Sequence, residues 1–161
     1  MKENTIADIA NDEQVERVNE YVQEYSENKV LLGGTCGNSK WREHLISLLE
    51  IDYFNPIVSV WKWNSAAQAQ ERYMRETCRF VLYVLTPETD GIYSIAEVVD
   101  DSNKRPARTI FCYVDGYNYT EFGESKLKSL QAVSKMVQRN GVLVFTDLQS
   151  VAFYLNLALE K

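Results

Sequence analysis

The stretch Thr86-Pro87-Glu88-Thr89-Asp90-Gly91-Ile92-Tyr93-Ser94-Ile95-Ala96-Glu97 sets two carboxylates, Asp90 and Glu97, where a polar turn passes into a helical pattern. A pair so placed suits a nucleophile and an acid/base, one oxygen attacking carbon while the other group moves a proton. The same residues also have a structural reading. Ser94 and Glu97 carry the S-x-x-E spacing of a capping box, and Asp90 suits the turn. A second loop, Gly33-Gly34-Thr35-Cys36-Gly37-Asn38-Ser39, follows an apolar run and opens a helix. Its glycines let backbone amides approach an anion or a sugar hydroxyl, although a tight turn with an Asn or Ser cap accounts for them equally. It matches neither G-x-G-x-x-G nor G-x-x-x-x-G-K-[ST], which counts against the nucleotide cofactor folds. A third loop, from Asn55-Pro56 to Trp63, carries Trp61 and Trp63. These rings are suited either to stacking on a nucleobase or to packing.

The remaining composition narrows the chemistry to carboxylates, with no metal and no cofactor expected. His44 is the only histidine, so a multi-His metal centre is excluded and one candidate remains for any Ser-His or Cys-His pair. It falls on the outer side of a helix and reads as a surface residue. Cys36, Cys78 and Cys112 are odd in number and form no C-x-x-C pair, so they read as reduced thiols. Asp100, Asp101, Lys104 and Arg105 read as a solvated helix end and connector. Ser94 lacks the G-x-S-x-G setting of an esterase nucleophile. A formal net charge of -6 opposes binding to duplex nucleic acid or an anionic membrane. No apolar run approaches the roughly 18 residues that span a bilayer, and Glu3, Asp8, Asp12 and Glu13 do not fit a signal peptide. The expectation is a cytoplasmic protein.

The 161 residues are expected to fold as one α/β domain. Val15, Val18, Val22 and Tyr25 mark one face of an amphipathic helix over 11–25. Residues 29–32 read as a buried strand closed by Gly33 and Gly34. A helix bearing Trp41, Leu45, Leu48 and Leu49 follows, with Asn38 or Ser39 as its cap. A short second strand ends near Asn55 because Pro56 has no amide donor. Helix is expected over 65–78, a strand buried on both faces over 80–85, helix over 92–101 and strand over 109–114. Leu127, Leu130, Val133 and Val137 form a helical face ended by Asn140-Gly141, and 142–145 is the last strand. Thr146 and Gln149 fit a capping box for a final helix that buries Val151, Tyr154, Leu155 and Ala158. Alternation of this kind gives a parallel sheet covered on both faces, with ligands beyond the carboxyl ends of the strands.

With these residues assembled, the chain resembles the nucleoside 2-deoxyribosyltransferase-like family from about Lys29 to the C-terminus. The resemblance is carried by Leu31-Leu32-Gly33-Gly34-Thr35 with Trp41-Arg42-Glu43, by Asp52-Tyr53-Phe54-Asn55-Pro56, by Leu82-Tyr83-Val84-Leu85-Thr86-Pro87, and above all by Gly91-Ile92-Tyr93-Ser94-Ile95-Ala96-Glu97-Val98. It implies a flavodoxin-like (Rossmann-like) five-stranded parallel sheet with helices on both faces; the N-terminal helix through Tyr25 lies outside the match. An N-terminal helical extension would span 1–28 and the family domain 29–161. It also implies a homo-oligomer whose neighbouring subunits complete each other's sites.

The activity implied is cleavage or exchange of the N-glycosidic bond of a (2′-deoxy)nucleoside or nucleotide through a covalent glycosyl-Glu97 intermediate. Asp90 would donate a proton or position the base. Gly33, Gly34 and Thr35 would line the sugar side, Trp41 or Trp61 would cover the base, and Asn55, Tyr93 and Ser94 would also bind substrate. Two departures stand against the family pattern. Arg79 occupies a position before the third strand where the family tends to carry a substrate-contacting aspartate, and Thr35-Cys36-Gly37 replaces an aromatic residue. They leave open an altered substrate, such as a phosphate paired with Arg79, or a non-catalytic nucleotide-binding or sensing protein on the same fold. A flavin-binding electron carrier shares the topology, but the first loop lacks its Ser/Thr-rich phosphate cradle.

Overall fold

The computed structural model of the protein describes residues 27–37, 39–56 and 65–159. The helix expected over 11–25, Asn38 as a cap, and Trp61 and Trp63 lie outside the described residues. Among the described residues, five parallel strands alternate with five α-helices: β1 (Glu27–Gly34), α1 (Trp41–Leu48), β2 (Tyr53–Phe54), α2 (Ser65–Thr77), β3 (Cys78–Leu85), α3 (Ile92–Lys104), β4 (Thr109–Tyr113), α4 (Glu124–Arg139), β5 (Leu143–Phe145) and α5 (Leu148–Ala158). The strand order is β2-β1-β3-β4-β5, the α/β flavodoxin-like arrangement expected.

The sheet centre follows from β3, where every residue except Arg79 is buried. Its side chains alternate between two apolar layers. Leu82 and Val84 join Leu32, Trp41, Leu45, Ile110, Val151 and Leu155 beneath α1 and α5. Val81, Tyr83 and Leu85 join Leu31, Val98, Phe111, Leu130 and Val137 on the opposite face. Burial on both faces explains the unbroken apolar run, each buried Leu or Val stabilising the fold by about 1.5–3 kcal/mol.

Several local details differ from the sequence expectations. β1 includes Gly33 and Gly34 as its last residues, because pairing with β3 continues to Gly34 opposite Val84. α1 starts after Lys40 without a side-chain cap. Ser39 instead bonds across the loops, donating to Glu88 Oε1 at 2.9 Å and lying 3.1 Å from Thr86 Oγ1. The cap of α5 is Asp147, which accepts from the Ser150 amide at 2.7 Å, one residue later than the expected Thr146 box. α3 begins after Gly91, so Ser94 lies inside the first turn and the Ser94–Glu97 capping box does not form. That frees the Glu97 side chain. Among the described residues, no helix is long and apolar enough to cross a membrane.

Candidate active site

The carboxyl ends of β1 and β3 are locked together before any polar side chain is placed. Gly34 has φ 118°, and a Cβ there would collide with the Val84 backbone. Only glycine lets β1 lie this close to β3 in this conformation. Beyond it, the Thr35 amide donates to Val84 O at 2.8 Å, and Thr35 Oγ1 accepts from the Thr86 amide at 3.1 Å. Arg42, almost fully buried on α1, braces the same loop from below. It donates to Leu32 O at 3.0 Å, to Thr35 O at 2.6 Å and to Gly34 O at 3.3 Å. Trp41 Nε1 donates to Thr35 O at 2.8 Å.

On the other side, Gly91 adopts φ 64° and a Cβ would come within 2.7 Å of Leu85 Cδ2, so the chain turns sharply from β3 into α3. The first turns of α3 then face the loop after β1. Between them lies a cavity of about 350 Å³ whose wall includes Gly33, Gly34, Thr35, Arg42, Pro56, Glu71, Tyr93, Ser94 and Glu97. A second cavity of about 390 Å³ is lined by Gln68, Glu71, Arg72, Arg75, Tyr93 and Glu97. Glu71, Tyr93 and Glu97 belong to both walls. Both volumes fall within the roughly 300–1,000 Å³ typical of small-molecule sites.

Glu97 is held from beneath. Its side chain is 13% exposed and lies 3.8 Å from Arg75 Nη1. One turn further along α3, Asp101 is fully buried. It accepts from Arg75 Nε at 3.0 Å and Nη2 at 2.9 Å, from Arg105 Nη1 at 2.8 Å and from the Tyr83 hydroxyl at 2.5 Å. Burial pushes the Glu97 carboxyl up to about 7; Glu71 and Asp101 add to the rise, while Arg75 and the Tyr83 hydroxyl oppose it. Burial also raises the Glu71 carboxyl, against the pull of Arg75 and Arg42. Two carboxylates near one cavity, each held above the ordinary range, can keep a proton available near neutral pH.

Of the residues singled out from sequence, Gly33, Gly34, Thr35, Tyr93, Ser94 and Glu97 meet on one cavity wall. Tyr93 is 75% exposed and presents its ring at the junction of the cavities. Asp90 is exposed in the turn and Asn55 is exposed beside Pro56; neither is on a wall. Two assignments are corrected. Trp41 is completely buried in the core, its indole N–H held by Thr35 O, so its ring cannot cover a base. Arg79 stands exposed at the amino end of β3, the far end of the strand from the cavity. The α2 acid that reaches the cavity is Glu71, two turns before Arg79, and the sequence reading missed it along with Arg42. Asp101 is likewise corrected, since it lies buried beneath Glu97 and not at a solvated helix end.

The fold sets this carboxylate-lined crevice at the topological switch point of a flavodoxin-like sheet, where ligands of such folds bind. The chain belongs to the nucleoside 2-deoxyribosyltransferase-like family, whose model matches residues 27–117. That span contains every wall residue of both cavities and ends before α4, short of the C-terminal reach expected from sequence. The family name points to glycosyl transfer on nucleosides. No curated protein and no solved structure gives a significant match.

Proposed function

We propose that the protein cleaves or exchanges the N-glycosidic bond of a (2′-deoxy)nucleoside or nucleotide. The observation that carries this reading is Glu97, a partly buried carboxylate at the meeting point of two cavities with Glu71 on the same walls. In the reaction, a Glu97 oxygen attacks C1′ as the bond to the base nitrogen breaks. The electron pair goes to the base, which gains a proton from Glu71, and the sugar passes through an oxocarbenium-like state into a covalent glycosyl-Glu97. A second base nitrogen or water then attacks C1′, passing its proton to the Glu71 carboxylate, as the bond to Glu97 breaks, giving transfer or hydrolysis. Glu71 suits the acid role because burial keeps its protonated form to higher pH than usual. The Tyr93 ring offers a stacking face, and the Gly34–Thr35 edge offers backbone groups to the sugar. We also read the chain as a homo-oligomer, with exposed Ile92 and Tyr93 near the neighbouring subunit.

The test is a panel of deoxynucleosides, ribonucleosides and their 5′-monophosphates, incubated with and without a free acceptor base and resolved chromatographically. Release or exchange of a base by the wild type, lost by about 10³-fold or more in Glu97→Ala while the fold persists, is expected for a removed nucleophile. Turnover retained in Glu97→Ala overturns the assignment. Saturable binding without turnover moves the protein to the nucleotide-sensing class.

A further inference from the structure

A tyrosine hydroxyl has one proton to give, and Tyr83 has two carboxylates competing for it. It donates to Asp101 Oδ2 at 2.5 Å, and Glu97 also lies within its hydrogen-bonding reach. The Asp101 contact has the length of a charge-assisted O–H···O⁻ bond, among the stronger kinds in proteins. Asp101 is fully buried, and an anion there persists only with every oxygen engaged. Its other oxygen is engaged by Arg75 and Arg105. The proton of Tyr83 is therefore committed chiefly to Asp101, with a weaker share for Glu97. Arg75 is drawn the same way, bonding Asp101 at 2.9–3.0 Å but approaching the Glu97 carboxylate only to 3.8 Å.

We propose that Asp101 is the positioning residue of Glu97: it takes the larger share of the Tyr83 hydroxyl and of the Arg75 contact, and so leaves the Glu97 carboxylate facing the crevice only weakly held by these two donors. A carboxylate whose donors are held mainly by a neighbour is a stronger nucleophile, since its lone pairs are less engaged. The charged and titratable groups around Glu97 are Arg75 and Glu71 from α2, Tyr83 from β3 and Asp101 from its own helix, with Arg42 of α1 acting on Glu71. Glu71 and Asp101 raise the Glu97 carboxyl, and Arg75, which lowers it, is shared with Asp101, which fits a carboxyl raised by burial to about 7. The catalytic meaning of the device rests on the glycosyl-transfer reading; the placement of the proton does not.

The deciding experiment follows the Glu97 side-chain carboxyl by carbon-13 NMR titration in the full chain, comparing wild type, Asp101→Asn and Tyr83→Phe, with thermal unfolding as the check on folding. In Asp101→Asn, Tyr83 and Arg75 turn to Glu97, and its midpoint falls by about one pH unit or more. In Tyr83→Phe the midpoint rises by no more than about 0.3 pH unit, because the lost proton was mainly on Asp101. An unmoved midpoint in folded Asp101→Asn overturns the proposal. So does a rise of about one pH unit in Tyr83→Phe, which would place the proton on Glu97; this variant decides the matter alone if Asp101→Asn does not fold. Once a substrate is found, Asp101→Asn should lower kcat far more than it raises KM and move the acid limb of the pH profile downward. Absence of turnover in every form, with the titrations as expected, defeats the glycosyl-transfer reading and leaves the proton assignment standing.

Discussion

Arg42 and Arg75 approach the crevice from different sides and bind different kinds of partner. Arg42, rising from α1, donates to the backbone carbonyls of Leu32, Gly34 and Thr35. Arg75, on α2, meets chiefly carboxylates, those of Glu97, Asp100 and Asp101, with one longer bond of 3.4 Å to the Glu97 carbonyl. Neutral carbonyls fix the course of a loop without setting the charge of the site. Carboxylates do the reverse: they fix where negative charge sits and in which protonation state. The first region therefore supplies shape, holding the turn after β1 against β3, and the second supplies reactivity.

That contrast predicts different damage from the same type of substitution. Arg75→Met has the largest effect, because among the described residues it leaves Asp101 with Arg105 as its one cation and Glu97 with none in contact. Breaking a buried pair this way costs about 3–5 kcal/mol. The sign for activity is also set. Removing a neighbouring cation disfavours the carboxylate, so the acid limb of the pH profile moves above its wild-type position near 7, opposite to Asp101→Asn. Urea unfolding and the pH dependence of kcat/KM check both parts; an acid limb that stays or falls breaks the comparison.

Arg42→Met comes next. It removes three hydrogen bonds to carbonyls, one of which, Thr35 O, keeps the Trp41 indole as donor. The expected cost is about 2–3 kcal/mol. KM rises as the Gly34–Cys36 turn loosens, while the acid limb stays in place. A shifted limb in this variant erases the division between shape and charge. Arg72→Ala has the smallest effect. Its guanidinium lines the second cavity and makes no hydrogen bond or ion pair with the described residues. Stability should stay within about 0.5 kcal/mol of wild type, with any change confined to substrate affinity.

The fold was legible because apolar runs and glycine-marked turns alternate with helical patterns, and β3 announces the centre of the sheet by being apolar on both faces. Boundaries were less so. β1 and β3 extend through Glu27 and Cys78 because ladder pairing, which composition does not display, continues past the apolar residues. Glu97 was visible through its place after the central strand, although the S-x-x-E spacing offered a cap that a glycine start to α3 excludes. Glu71 was not visible. On a helix with a broad polar face, nothing local distinguishes the acid that meets a crevice from those that meet water. Asp101 carried a usable signal that was read the wrong way. It lies four residues after Glu97 and three after buried Val98, so it shares their inward face and needs cations from another element. Arg75 on the preceding helix meets that need.

The most direct test of a covalent role for Glu97 is to trap the intermediate. A 2′-deoxy-2′-fluoro nucleoside, whose electron-withdrawing fluorine slows passage through the oxocarbenium-like state, is incubated with the full chain, and the product is read by intact mass and peptide mapping. The expected result is a mass gain of one fluorinated sugar, mapped to the peptide bearing Glu97 and absent from Glu97→Gln. Base release without an adduct at Glu97, or an adduct on Glu71 or Asp90 instead, contradicts it.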